Sequence, residues 1–350
     1  MLLLDQPEMH FAIQAVQQAA RLVRRVQAHM IPFASGGGEN RTPPPPVGDS
    51  VQTKDDLSPV TVADYASQAV IGWLLSQAFP QDALVAEEDS AALRAKSGAP
   101  LLARVTGFVQ QELPQAGPEQ VCAWIDHGRQ DEKGAPGRFW ALDPIDGTKG
   151  FLRGEQYAIA LALVEDGQVQ IGALGCPNLK GVCFPELGGP GSLIVAQRGL
   201  GTWTTCLDQP GEYRRLGVSA RAEPAQARLL RSFESGHTNA GQVDQFAAAM
   251  GTQAQPVLMD SQAKYALLAA GEAEVLLRLL SPSKPDYREK IWDQAAGALV
   301  LEEAGGRITD LDGAPLDFTT GRLLLHNRGV LASNGSLHAA ALSALRQIGA

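Results

Sequence analysis

The run Arg138-Phe139-Trp140-Ala141-Leu142-Asp143-Pro144-Ile145-Asp146-Gly147-Thr148 decides how the rest of the sequence is read. Residues 138–143 are apolar and β-prone, as expected of a buried strand. Pro144 and Gly147 are expected to stop its ladder, so that the chain turns sharply and carries two acids three residues apart. Two more strands follow at 157–164 and 168–175. Between them, Glu165-Asp166-Gly167 is a strong tight-hairpin signal, which makes this sheet antiparallel.

Working outward, residues 7–30 repeat apolar side chains at Phe11, Ala15, Val16, Ala19, Leu22, Val23 and Val26, the spacing of an amphipathic helix. A second helix is expected from Thr61, after Pro59, and a short strand at 83–86 ends in Glu87-Glu88-Asp89. Glycine and proline crowd the stretch from Gly36 to Gly48 too densely for helix or central strand, so 34–50 reads as a surface loop. Beyond residue 217 strands alternate with helices, and a strong helix over 291–304 meets a glycine stop at Gly305-Gly306. Alternation favours a mixed or parallel sheet covered by helices. The expected organisation is therefore an antiparallel α+β unit over 1–216 followed by an α/β unit over 217–350.

Composition narrows the function classes. Lys and Arg number 29 against 38 Asp and Glu, a net charge of −9, which disfavours a protein that tracks a nucleic-acid backbone. Cys122, Cys176, Cys183 and Cys206 form no C-x-x-C pair and read as buried thiols of a reducing, cytoplasmic compartment. The first residues lack a basic region, and no apolar run is long enough to cross a bilayer. Neither a P-loop nor a G-x-S-x-G elbow is present, and Thr309–Gly313 reads as a turn rather than a calcium loop.

Oxygen-only ligands such as Asp143 and Asp146 suit hard cations, Mg²⁺ or Mn²⁺, and Gly147 lets an anion approach the following amides. A metal beside anion-binding amides is the equipment of phosphoryl-ester hydrolysis. The same residues equally fit an ordinary Asx turn. Other acids raise the odds: Glu87 at a strand end, Asp293 before a helix and Asp64 in a helix first turn. Each also has a bland reading as a solvated end or a dipole-favoured acid. Spacing alone does not bring them together.

Taken together, Asp143–Gln156 (DPIDGTKGFLRGEQ), Ser58–Asp64 (SPVTVAD), Ala86–Asp89 (AEED) and Trp292–Gly306 (WDQAAGALVLEEAGG) resemble the Mg²⁺-dependent, lithium-sensitive phosphatase superfamily that includes inositol monophosphatase and fructose-1,6-bisphosphatase. The continuation after Thr148 and the stretch Asp260–Arg278 are closer to its 3′(2′),5′-bisphosphate nucleotidase branch. The resemblance implies a layered α-β-α-β-α sandwich with an antiparallel first sheet and a mixed, mostly parallel second sheet. It implies metal ligands at Glu87, Asp143, Asp146, Asp293 and the Ile145 carbonyl, and a water-activating pair, Asp64 and Thr148. Substrate contacts fall at Thr148, His237, Ser261, Lys264, Arg278 and Asp293, with Lys264 and Arg278 neutralising the phosphate that stays on the product. Without the resemblance, Lys264 is as easily a solvated helix residue and His237 a loop histidine.

The implied activity is hydrolysis of the 3′-phosphate of adenosine 3′,5′-bisphosphate to AMP, and of its sulfated form, with two or three Mg²⁺ per site, Mn²⁺ as a substitute and inhibition by Li⁺. The partner is a small bisphosphonucleotide rather than a nucleic-acid polymer or a membrane, and the chain is a monomer or homodimer. Alternatives are an inositol phosphate or sugar bisphosphate as substrate, or a non-catalytic nucleotide sensor. Three features depart from the motif set: the loop 34–50, the segment Leu280–Glu289, and Glu-Asp after Glu87 where Glu-Ser is common. Five of the acids, Asp64 together with Glu87, Asp143, Asp146 and Asp293, belong to the implied metal site, so the acidity that argues against polymers is partly a metal demand.

Overall fold

The strand expected over 138–143 runs from Arg138 to Asp146 in the computed structural model, which describes residues 4–30, 51–53, 59–129, 137–232, 240–281 and 284–350. The loop 34–50, Ser58 and His237 lie outside the described residues. The ladder does not stop at Pro144. Pairing with Ala158–Glu165 resumes at Asp146 opposite Ala158, after a register shift between Asp143 and Asp146. A proline is tolerated there because the shift already interrupts the ladder. On its other side, at the sheet edge, Ala83–Ala86 runs parallel, with Ala86 opposite Leu142. The next residue on each strand is an acid, Glu87 and Asp143.

The hairpin forms as expected. Asp166 (φ 48°) and Gly167 (φ 76°) both take left-handed backbone, the conformation of the two-residue turn that closes Glu165 onto Gln168. Seven strands make this sheet, and every pairing except that of Ala83–Ala86 is antiparallel. The second sheet has the order Val257–Leu258, Leu229–Arg231, Val275–Arg278, Val330–Ser333, Arg307–Thr309. It is mixed, but its pairings divide evenly, two parallel and two antiparallel, rather than being mostly parallel. The last two strands are joined without a helix, so no crossover sets them parallel.

Alternation along the central strands builds the layers. Trp140 and Leu142 face one core with the helices Pro7–Met30 and Val62–Ala78, where the predicted stripe from Phe11 to Val26 is buried. Phe139 and Ala141 face a second core, filled by the helices Ala263–Ala269 and Ala295–Glu303 between the two sheets. Leu276 points into that middle core, whereas Val275 and Leu277 join a third with the helices Ala240–Met250 and His338–Ile348. The order of layers is α-β-α-β-α.

Smaller expectations shift. The helix expected over 291–304 starts at Ala295, leaving Asp293 in the preceding turn. All four cysteines are free, but only Cys122 and Cys176 are buried; Cys183 and Cys206 are partly exposed, correcting the reading of four buried thiols. Asp310 accepts the N–H groups of Asp312 and Ala314, so Thr309–Gly313 is the expected turn. Among the described residues no helix is long and apolar enough to cross a membrane.

Candidate active site

Asp64 is placed by its own helix. It is the third residue of Val62–Ala78, and its Oδ2 accepts from the N–H (2.8 Å) and hydroxyl (2.5 Å) of Thr61, while the Thr61 Oγ1 accepts from Ala63 N (3.0 Å). This reciprocal cap fixes the carboxylate in a buried position, 1% exposed. Its other oxygen faces Thr148, whose hydroxyl lies 3.3 Å from Oδ1 and 3.2 Å from the Ile145 carbonyl. The pair expected from sequence is thus joined, 84 residues apart in the chain.

Asp143 is the last residue in register before the shift that precedes Asp146. Asp143 Oδ1 accepts from the Ile145 N–H at 3.1 Å, and Ser67 Oγ donates to the Pro144 carbonyl, also at 3.1 Å. Gly147 then turns into the six-residue helix Thr148–Arg153 at φ 90°. A Cβ at Gly147 would lie 2.9 Å from the Ser261 Cβ, so both conformation and space require glycine. Ser261 itself stands at φ 61°, unusual for a residue with a side chain, and the following Gln262 N–H donates to Asp146 Oδ2 at 2.5 Å. On the neighbouring strand, the buried Gln68 side chain accepts from Glu88 N and donates to Glu88 O, pinning the backbone just past Glu87.

Two cations, Arg278 and Lys264, come from beyond residue 217. Arg278 pairs with buried Glu289 at 2.8 Å and with Asp293 at 3.5 Å. Burial opposes the Arg278 charge, but Glu289 and Asp293 outweigh it and hold its pKa well above normal. Lys264 Nζ donates to Ser232 Oγ at 2.9 Å. Burial and the neighbouring Arg278 lower the Lys264 pKa to about 8, against the pull of Asp146 and Asp260. The acids respond in the opposite direction. Burial, then the charges of Glu87, Asp146 and Asp293, push Asp143 well above the usual carboxylate range. Burial also raises Asp146 and Asp293, with Arg278 the main opposing charge in each case.

These residues line one cavity of about 240 Å³. Glu87, Asp143, Ile145, Asp146 and Thr148 come from the first sheet and the turns that follow its strands; Ser261, Lys264, Arg278 and Asp293 come from beyond residue 217. Asp64 lies behind Thr148 rather than on the wall. Sequence reasoning missed Lys149, Ser232, Asp260, Tyr287 and Lys290, which also line it. Lys149 lies inside the Asp143–Gln156 motif, Asp260 opens the Asp260–Arg278 stretch and Lys290 stands two residues before Trp292, so membership of or adjacency to the motifs was the available signal; Tyr287 falls in the divergent segment. Trp292 lines it as well.

The donor set fits a hard divalent cation. It is all oxygen, and mutual repulsion between buried carboxylates is what a cation would relieve. Among the described residues, however, no three His, Cys, Asp or Glu side chains close into a ligand group. Asp146 is turned to the Gln262 amide and Asp293 to Arg278.

Residues 5–350 match the inositol monophosphatase family. A protein of Oryza sativa called 3′(2′),5′-bisphosphate nucleotidase is 40% identical, over 97% of this chain and 93% of its own. One of the same name from Schizosaccharomyces pombe is 39% identical, over 93% and 91%. The solved structure of the Thermotoga maritima IMPase superposes with a TM-score of 0.63, covering 98% of each chain at 19% identity. The extragenic suppressor protein suhB of Bartonella henselae gives 0.64 at 19% identity, covering 98% and 99%. At that identity the solved structures speak for the fold.

Proposed function

The chain belongs to the inositol monophosphatase family, and from that premise we propose that it is a 3′(2′),5′-bisphosphate nucleotidase that converts adenosine 3′,5′-bisphosphate to AMP and phosphate. The relatives of that name cover nearly its whole length. The observation that carries the mechanism is the Thr148 hydroxyl, held between the buried Asp64 carboxylate and the carboxylate-lined cavity.

Asp64 accepts the Thr148 hydroxyl hydrogen, which leaves Thr148 Oγ1 free to accept from a water on the cavity side. That water attacks phosphorus in line, its proton passes toward Thr148 and Asp64, and the bond to the ribose 3′ oxygen breaks, the oxygen taking up a proton. Glu87, Asp143, Asp146, Asp293 and the Ile145 carbonyl would hold two or three Mg²⁺ ions, with Mn²⁺ as a substitute and Li⁺ as an inhibitor. Such ions neutralise phosphoryl charge and lower the pKa of water. Lys264 and Ser261, with Arg278 anchored on Glu289, face the nucleotide and its remaining phosphate.

Two units, 1–216 and 217–350, meet at this cavity: the first carries the water-activating pair and most acids, the second the cations and Asp293. The free cysteines support a reducing, cytoplasmic setting.

The test is phosphate release from adenosine 3′,5′-bisphosphate, its sulfated form, inositol 1-phosphate and fructose 1,6-bisphosphate in one buffer. The expected order puts the bisphosphonucleotide first, with activity lost in EDTA and reduced by Li⁺. Preference for inositol 1-phosphate would overturn the substrate, and activity indifferent to chelator would overturn the metal.

A further inference from the structure

Arg322 belongs to none of the motifs that identify the site, yet its side chain reaches both walls. It lies in the loop between the strands Arg307–Thr309 and Val330–Ser333. Its backbone is tied to the segment that leads into Asp293. The Arg322 carbonyl accepts from Ile291 N at 2.9 Å, Leu323 bridges to Lys290, and Leu324 N donates to the Glu289 carbonyl at 2.9 Å.

From that anchor the guanidinium crosses to the first unit. Nη2 donates to the Ala86 carbonyl at 2.6 Å and Nη1 to the Gly128 carbonyl at 3.3 Å. The Gly128 carbonyl also accepts from Ala86 N at 3.0 Å, so Ala86 is held through both its amide and its carbonyl. Meanwhile the Arg322 Cζ sits 4.5 Å from the centroid of the Trp292 ring. Ala86 immediately precedes Glu87, and Trp292 immediately precedes Asp293. One side chain therefore grips the residue before an acid on each side of the cavity.

Arginine suits this task for a physical reason. A planar guanidinium donates in its plane to two carbonyls while its face rests on an aromatic ring. Lysine offers a point charge with no face to stack. We infer that Arg322 is a positioning residue that sets the separation of Glu87 and Asp293 across the two units, and through it the affinity of the site for Mg²⁺. The inference rests on the reading that these two acids hold that ion. Groups that orient metal ligands without touching the metal typically change affinity 10–100-fold when removed.

The experiment is calorimetric titration of Mg²⁺ into EDTA-stripped, desalted protein, for the unmodified chain and for Arg322→Met, Arg322→Lys and Trp292→Leu, with near-UV circular dichroism to verify folding. Arg322→Met is expected to raise the Mg²⁺ Kd roughly 10–100-fold. Arg322→Lys should recover only part of that loss, and Trp292→Leu should weaken binding in the same direction. In kinetics of the Arg322 variants, the Mg²⁺ concentration for half-activation should rise in step, while KM for the bisphosphonucleotide at saturating Mg²⁺ stays within about threefold. A purely structural role would lower the melting temperature and leave the Mg²⁺ Kd alone, and that result overturns the inference. Should Arg322→Met not fold, an Arg322→Lys variant with unaltered Mg²⁺ affinity overturns it equally. If the unmodified chain binds no Mg²⁺, the reading beneath fails and takes the inference with it. If it binds Mg²⁺ and the variants bind as well, the inference alone fails.

Discussion

The two walls of the cavity are built by different physics. On the first, acids are aimed largely by backbone: a strand end and a helix cap place Glu87, Asp143 and Asp64, and the Gln262 amide holds Asp146 after the register shift. On the second, Asp293, Arg278 and Glu289 hold each other by charge, across loops rather than within one element. A wall made of backbone geometry is stiff and specific in position. A wall made of ion pairs can exchange partners when a charged ligand arrives. The division matches the proposed roles, with water activation on the stiff side and recognition of a substrate phosphate on the exchangeable one.

The largest expected break is on the stiff side. Asp64→Asn keeps the cap's shape but removes the proton acceptor, and kcat should fall roughly 10²–10⁴-fold with KM little changed, measured by phosphate release. Retained turnover would remove Asp64 from the mechanism.

A second break separates the units by pH. His338 is buried at the start of the helix His338–Ile348, with Nε2 3.0 Å from Thr309 Oγ1 and Nδ1 2.9 Å from Ser333 Oγ. Because the Thr309 hydroxyl donates to the Asp310 carbonyl, Nε2 is the donor and Nδ1 the acceptor. Burial, then Arg307, lowers the His338 pKa to about 4. The folded state therefore favours neutral imidazole, and the unfolded chain takes up a proton near the ordinary value. The stability from this group is complete above pH 6.5 and is lost as pH falls toward 4. With partial screening the loss should be about 2 kcal/mol, read by denaturant titration at pH 7 and pH 4.5. His338→Gln should flatten that difference; an unchanged pH dependence would clear His338 of it.

On the exchangeable wall, Glu289→Gln removes the stronger partner of Arg278. KM for the bisphosphonucleotide should change by about tenfold with kcat within a few-fold, the signature of a binding rather than a chemical defect. An equal fall in kcat would show the two walls to be less separate than drawn here. The smallest effect is Thr61→Ala, which strips the cap from Asp64. It should cost about 1 kcal/mol of stability in thermal unfolding, and a drop in kcat alongside it would show that the cap also aims the acid.

Much of the stiff wall was legible because its determinants are local. Asp143–Thr148 announces its own turn, Asp166-Gly167 its hairpin, and the helix Pro7–Met30 its buried face. Where local rules misled, a tertiary reason is visible. Pro144 looked like a stop, but the register shift absorbs it. The helix His338–Ile348 went unread although Ala341, Ala344 and Leu345 on its buried side keep a helical spacing. The second sheet looked mostly parallel because strands and helices alternate, yet its final connection contains no helix. The exchangeable wall was the harder one. That Arg278 leans on Glu289, or that Arg322 reaches Ala86 across 236 residues, leaves no trace in spacing.

The lone parallel pair at the sheet edge has a consequence for how this chain can change over time. Glu87 and Asp143 meet because Ala86 and Leu142 stand opposite each other in the ladder, with Gly128 bracing the Ala86 amide, so their distance is set where the excursion between them leaves and rejoins the sheet. The excursion's helices are packed into the first core, but insertions at the exposed turns between them can accumulate without separating the acids. The molecule thus carries a region open to evolutionary experiment or deliberate insertion, hung between two residues that cannot drift apart.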